Sequence, residues 1–369
     1  HNVDVLDHKN TTLHTFTIPR RYTNLQLINA GSQGVVVSAD DTMAINEEKK
    51  RVAIKKMLNP FAKTAYAKQT YRELVLQSSV NHPNIVQMYE KFTPQESLPD
   101  FQEVYLVMEL MTHSLSELIG KKATLDHKTL SFFIYQILCG VNHLHREGII
   151  HRDLKPCNIA VNDKCRVKVL DFGLARQYDK SSEANEMTAY VVTRYYRAPE
   201  VVLKLEYTEK MDIWSIGCIF AELITKEVLF PGEDKIRQWN TIVEIMGTPS
   251  NNFIDRLDTT VAKHMRALPR VDPKSLEVII HDRHFKSDSE FPQNSWTATD
   301  ARRLISKMIA IDPSERYSAA EALQDPYVRF WFNEDEVNSP LSSNGYVKEV
   351  DEKVLSLEEM KSLIFNEVK

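Results

Sequence analysis

Between Tyr22 and Leu110 the apolar residues come in short runs. "VVVSAD", "RVAIKKML", "IVQMYEKFT" and "VYLVMEL" are rich in β-branched and apolar residues and bounded by polar turns, so each predicts a strand. One longer stretch, Phe61 to Val80, reads as a helix. The first region is therefore a small sheet with one helix.

After "MTHSLSELIG" the period changes. Leu130, Phe133, Ile134, Ile137, Leu138, Val141 and Leu144 recur at spacings of three and four, which places them on one helical face. The rest of the chain is mostly helical, with a boundary near Leu110 to Ser114 where the strands stop. A cleft between a β-rich lobe and a larger α-rich lobe is a favoured place for a ligand.

The most apolar stretch, "WSIGCIFAELIT", is interrupted by Glu222 and falls well short of the ~20 residues that cross a bilayer, so it predicts a buried helix. Residues 249–300 hold turn-rich, weakly periodic segments such as "LPRVDP" and "KSDSEFPQNS", which predict a surface insertion or a long connection. Beyond Trp331 the run "NEDEVNSPLSSNGYVKEVDEK" is acidic and polar. In "SLEEMKSLIF" a capping box, Ser356 to Glu359, leads into Leu357, Met360, Leu363 and Ile364, which predicts a short amphipathic helix at the C-terminal end.

Composition narrows the classes. With 369 residues, 43% hydrophobic and 26% charged, the chain is large enough for two domains around separate cores and is not wholly disordered. A net charge of −5 offers no general attraction for nucleic acid or anionic lipid, so neither direct nucleic-acid binding nor membrane association is expected. The first residues, from His1, are polar and show no signal-peptide pattern. Cys139, Cys157, Cys165 and Cys218 form no C-x-x-C pair and no cluster with zinc spacing, which favours reduced thiols in the cytoplasm or nucleus.

Candidate chemistry begins with "INAGSQGVV" at 28–36, a glycine turn between two strands where backbone N–H groups approach phosphates. Alone it is a weak signal and reads first as an ordinary hairpin turn. Lys55 closes a strand and by itself reads as a snorkelling side chain. Glu73, eighteen residues later on the predicted helix, reads alone as part of a solvated face. "HRDLKPCN" at 151–158 and "LDFGLAR" at 170–176 change this. Asp153, Lys155, Asn158 and Asp171 combine a carboxylate base, a cation and two oxygen-bearing metal ligands, the inventory of phosphoryl transfer.

Lys55, Glu73, Asp153, Asn158, Asp171, Gly173 and the "APE" of Ala198 to Glu200 stand in the order of the protein-kinase family, which the chain resembles from about residue 22 onward. "DIWSIG" at 212–217 and Arg316, which in kinases pairs with the "APE" glutamate, extend the match. "TRYYRAPEV", "HRDLKPCNI", "VMELM" and "RELVL" are similar to the c-Jun N-terminal kinase branch of the mitogen-activated protein (MAP) kinases.

The resemblance implies an α+β, bilobal kinase fold: an N-terminal extension (1–21), a β-rich N-lobe (22–110), a helical C-lobe (111–330) with a MAP-kinase insert near 249–300, and a C-terminal extension (331–369) packing back on the N-lobe. It implies that Lys55, held by Glu73, contacts the α- and β-phosphates of ATP, that Asp171 and Asn158 hold Mg²⁺, that Asp153 orients the substrate hydroxyl as base, and that Lys155 steadies the transferred phosphoryl group. ATP would also meet Ile28, Asn29, Ala30, Gly31, Ser32, Gln33, Gly34, Val35 and Val36, with the adenine against the backbone of Glu109 to Met111 and Met108 as gatekeeper.

The same resemblance makes Thr188 and Tyr190 activation phosphosites, with Arg194 and Arg197 for the phosphate on Tyr190 and Arg72, Arg152 and Arg176 for that on Thr188. Glu334, Asp335 and Glu336 would form an acidic patch for basic docking peptides. Three residues depart from the family. Asn29 replaces the first of three loop glycines, and is expected to weaken ATP binding modestly while making the turn through its tolerance of positive φ. Ala189 stands where the branch usually has proline, and bears on which upstream kinase reads the loop. Asn333 stands where the branch usually has aspartate.

The expectation is an ATP-dependent, proline-directed serine/threonine kinase of a stress-activated cascade, in the cytoplasm and nucleus. Its partners would be an upstream dual-specificity MAP kinase kinase, phosphatases, and protein substrates with Ser/Thr-Pro sites and basic docking motifs. The competing reading is a catalytically silent kinase fold serving as a docking scaffold. Asn29 favours it, and the intact Lys55, Glu73, Asp153, Asn158 and Asp171 oppose it.

Overall fold

The runs of β-branched residues pair as antiparallel strands. In the computed structural model, which describes residues 1–6, 12–31, 34–122, 124–177, 194–285, 296–341 and 355–369, β1 (Asn2–Leu6) and β2 (Thr12–Thr17) form a hairpin. β3 (Tyr22–Ala30), β4 (Gly34–Asp41), β5 (Arg51–Met57), β6 (Met88–Phe92) and β7 (Tyr105–Glu109) form one sheet in the order β3-β4-β5-β7-β6. Thr188, Tyr190, Ala189, Ser32 and Gln33 lie outside the described residues.

The chain divides into two compact units. The first holds His1–Thr112, Leu170–Ala175 and Leu341–Lys369, the second His113–Val169 and Arg176–Pro340. In the first unit Val35, Val37, Val52, Ile54, Tyr105 and Val107 are buried together, and Val5, Phe16 and Ile18 from the hairpin complete the same core. The hairpin inside the expected N-terminal extension is thus part of that core.

Helix α1 (Thr64–Ser79) starts three residues later than its pattern predicts, because Phe61 leaves the helix to pack against Phe101 at 4.9 Å between ring centroids. The C-terminal helix Leu357–Val368 carries the expected capping box and buries Met360, Ile364 and Val368. It lies against α1 within the first unit, and beyond α1 Phe365 meets Phe101 edge-on at 5.2 Å while Glu367 pairs with Lys91 of β6. Residues 331–340 belong instead to the second unit.

In the second unit β8 (His113–Ser114) leads into α2 (Leu115–Gly120) and α3 (His127–Arg146), whose apolar face is buried. β9 (Ile149–Ile150), β10 (Ile159–Val161), β11 (Val167–Val169) and β12 (Arg176–Gln177) pair as β11-β10-β8 and β12-β9. After α4 (Pro199–Val202), α5 (Lys210–Thr225) runs through the core with Ile213, Trp214, Ile216, Ile219 and Phe220 fully buried. Gly217 is required there, since a Cβ would come within 2.6 Å of the Ile309 side chain. The expected buried helix is this one, and among the described residues no helix is long and apolar enough to cross a membrane.

α6 (Lys235–Met246) precedes the segment read as a turn-rich connection. Within it the structure adds short helices the pattern did not show, while 268–273 stays irregular and exposed. Asn251–Ile254, Thr259–Ala267 and Leu276–Ile279 are short helices, each opened by a side-chain cap from Ser250, Asp258 or Ser275. Such helices are too short to impose a visible period. The stretch 286–295 lies outside the described residues.

Candidate active site

In the first unit, period-two alternation along β5 turns Lys55 inward, where it forms an ion pair with Glu73 of α1. Both residues are buried, at 8% and 1% exposure. Burial opposes the Lys55 ammonium, but the carboxylates of Glu73 and Asp171 outweigh it and raise its pKa. Burial, and then the charge of Asp171, push the Glu73 carboxyl upward against the pull of Lys55. One pair thus senses a third charge on the segment 170–175.

That third charge sits on a turn. Asp171 has φ +62°, a left-handed conformation for a non-glycine, and its Oδ1 accepts the Gly173 N–H at 3.1 Å. Phe172 beside it is fully buried.

The glycine turn sits over the same strand. The Gly31 N–H donates to the Gly34 carbonyl at 3.0 Å. A Cβ on Gly34 would lie 2.9 Å from the Lys56 carbonyl and 3.1 Å from Lys55 Cε, so glycine lets β4 close over the lysine stem. Asn29 needs no such freedom: it is extended in β3 opposite Val36, without positive φ, so the expectation of an asparagine-specific turn is corrected. Met108 pairs with Ala53 across the sheet and its sulfur accepts from Gln77 Nε2 at 3.1 Å. Val35 is buried and Ile28 half-exposed. Arg72, on α1 beside Glu73, is buried.

In the second unit the loop 151–158 is built around Asp153. Its Oδ2 accepts from Lys155 Nζ at 2.7 Å and from Asn158 Nδ2 at 3.0 Å, and Asn158 also donates to the Asp153 carbonyl. The loop backbone is held from beneath by Asp212 of α5, which accepts the N–H groups of His151 at 2.8 Å and Arg152 at 2.9 Å and faces His145 Nε2 at 3.0 Å. Burial presses the Asp212 carboxyl upward, yet His145 and these donors bring it below the usual range. Neither His145 nor this use of Asp212 was singled out from sequence. The available signal was an acid at the head of a largely apolar helix.

Among the expected phosphate-binding arginines, Arg152 adopts φ +69° and stacks over Tyr207 at 5.3 Å, while Arg176 in β12 pairs with Ile150 of β9. Arg194 donates to the Glu233 carbonyl at 3.0 Å. Burial, and then Arg194, lower the Arg197 pKa while Asp153 raises it. Glu200 and Arg316 form the expected pair, bidentate at 2.7 and 3.0 Å and fully buried. In the acidic patch Asn333 caps the helix Glu334–Val337 by accepting the Asp335 N–H at 3.0 Å, and Tyr135 donates to Glu336 at 3.1 Å.

Residues 22–328 match the model of the protein kinase domain. GLH-binding kinase 1 of Caenorhabditis elegans is 52% identical over 368 residues, covering 100% of this chain and 93% of that protein. The stress-activated protein kinase JNK of Drosophila melanogaster is 48% identical over 354 residues, 96% of this chain and 92% of that protein. Its namesake in Suberites domuncula is 46% identical over 354 residues, with 96% and 95% covered.

Proposed function

The chain belongs to the protein kinases, in the stress-activated JNK branch of the MAP kinases, and on that premise we propose that it is proline-directed and switched on by phosphorylation of both Thr188 and Tyr190. As a serine/threonine kinase it uses ATP and a divalent metal, acts on protein substrates and answers to upstream kinases.

The metal we assign is Mg²⁺. A hard cation of this kind takes oxygen ligands and is usually bound by one or two protein side chains together with substrate phosphates. Asp171 and Asn158 would supply the hard oxygens that the protein contributes. Bound Mg²⁺ neutralises charge on the phosphates. Lys55, fixed by Glu73, holds the α- and β-phosphates. Asp153 orients the acceptor hydroxyl and takes its proton, and Lys155 balances charge on the phosphoryl group.

The observation that carries the reading is the buried Lys55–Glu73 pair beside Asp171. A buried ion pair contributes little net stability compared with apolar packing, so an intact one beside a third carboxylate is best understood by its use.

Phosphates on Thr188 and Tyr190 would each bring roughly −1.5 to −2 charges, and Arg72, Arg152 and Arg176, with Arg194 and Arg197, are the cations that answer them. Glu334, Asp335 and Glu336 bind basic docking segments of substrates, phosphatases and a dual-specificity MAP kinase kinase. The test is phosphate transfer from ATP to Ser-Pro and Ser-Ala peptides before and after treatment with such a kinase. We expect activity on Ser-Pro after treatment, and loss of most activation in Thr188→Ala. Equal use of both peptides sinks the proline preference, and near-normal activation of Thr188→Ala sinks the clamp.

A further inference from the structure

Gln69 on α1 has no role in the scheme above. It lies one turn before Glu73 on the same face, is 6% exposed, and its Nε2 donor finds no hydrogen-bond partner among the described residues. A buried donor left unused is costly, and such groups concentrate where a structure must do something with them.

What Gln69 touches is the turn that carries Asp171. A Cβ built on Gly173 would meet Gln69 Nε2 at 2.9 Å, Gln69 Cγ at 3.1 Å and Asp171 Oδ1 at 3.2 Å. The glutamine amide and the carboxylate therefore crowd the same side of Gly173. Asp171 is held at φ +62°, a conformation that persists only where its surroundings fix it. The Gly173 N–H braces one carboxylate oxygen from inside the turn, and Gln69 closes the turn from the helix.

We propose that Gln69 is a positioning residue for Asp171: it locks the turn at Gly173 and ties the place of α1 to the orientation of the metal-binding carboxylate. α1 then meets the site twice, with Glu73 setting Lys55 and Gln69 setting Asp171. A shift of α1 that broke the ion pair would also release the carboxylate, so the two charges would be set or lost together. The inference rests on the reading of Asp171 as a metal ligand.

The experiment is Mn²⁺ binding to the full chain with a non-hydrolysable ATP analogue, followed by electron paramagnetic resonance, alongside the Mg²⁺ dependence of transfer. Gln69→Ala removes the packing against Gly173, Gln69→Glu sets a negative charge beside the Asp171 carboxylate, and Gln69→Met returns the bulk without the charge. The Mn²⁺ dissociation constant should rise about ten- to a hundredfold in the first two, as for other partners that orient metal ligands, and recover in the third. Metal-free binding of the analogue should not move. Wild-type Mn²⁺ affinity in both Gln69→Ala and Gln69→Glu overturns the proposal. If Gln69→Glu does not fold, the pair Gly173→Ala and Gln69→Ala decides: their effects on Mn²⁺ affinity should be non-additive, and additivity refutes the contact. Asp171→Asn separates the two readings. If it keeps wild-type Mn²⁺ affinity, the metal-ligand assignment itself fails; if it loses it while the Gln69 variants do not, only the positioning role fails.

Discussion

Acid should weaken this protein through one histidine. His143 is buried on α3, with Nδ1 3.0 Å from Ser339 Oγ. Its neighbours fasten the same segment: Asn142 donates to the Val337 carbonyl at 3.1 Å, and Arg146 donates to the carbonyls of Val337 and Ser339 at 3.1 and 3.0 Å. Burial, and then the charge of Arg146, bring the His143 pKa from 6.5 down to about 4, with Glu147 at 3.9 Å too distant to reverse it. Between those values the unfolded chain holds a proton that the folded chain refuses, so stability falls as pH drops. Each pH unit in that window costs up to about 1.4 kcal/mol, and the drop from about pH 7 to pH 4.5 sums to roughly 2 kcal/mol. Against a typical stability of about 5–15 kcal/mol this is measurable. Urea unfolding of the wild type and of His143→Gln, which stays neutral, should diverge by about that amount across the window. Parallel pH profiles would show that His143 protonates freely in the folded state and refute the reasoning. Because Val337 ends the helix that bears Glu334 to Glu336, binding of a basic docking peptide should weaken over the same range in the wild type alone.

Other perturbations act on single contacts. Gly34→Ala places a methyl against the Lys56 carbonyl and the Lys55 stem, and should lower kcat/KM for ATP about tenfold or more, some 1.4 kcal/mol, with the melting temperature little changed; unaltered kinetics would mean that this contact does not fix Lys55. Arg316→Met strands the fully buried Glu200 and should cost about 3–5 kcal/mol in denaturant unfolding of the second unit, and a loss below about 1 kcal/mol would contradict a working pair. Phe365→Ala removes the edge-on contact with Phe101, worth about 0.5–1.5 kcal/mol beyond its area, and should speed amide exchange throughout Leu357–Val368; unchanged exchange would assign that helix's hold to Met360 and Ile364 instead.

Much of the fold could be read from the sequence where one element was long enough to show its period. α3 and α5 are long and buried along many turns, and the C-terminal helix announces itself by its capping box. The hairpin of β1 and β2 was illegible because its core contribution rests on Val5, Phe16 and Ile18, too few and too scattered to form a pattern. The helices after α6 were missed for the same reason of length. At the site, Lys55, Glu73, Asp153, Asn158 and Asp171 were legible as an ordered set of residue types. What holds them was not, because Asp212 acts on backbone N–H groups and Gln69 acts on a glycine, and neither partner has a side chain to advertise the contact.

Those hidden contacts bear on where strain is kept. Arg152 and Asp171 are both non-glycine residues in the left-handed region, each next to or among the expected catalytic groups, and each such conformation costs about 1–3 kcal/mol. Both are braced by a helix of their own unit. Asp212, at the head of α5, fixes the loop backbone at His151 and Arg152, while Gln69 on α1 fixes the turn after Asp171. The two helices face different demands. α5 is surrounded by core and cannot shift without opening it, so the loop around Asp153 is set permanently. α1 packs against the C-terminal helix, which is itself anchored through Phe365 on Phe101 and Glu367 on Lys91 of β6, so the geometry of Lys55 and Asp171 depends on how firmly that helix is docked. Regulation of this chain should therefore act on α1 and leave the loop around Asp153 unchanged.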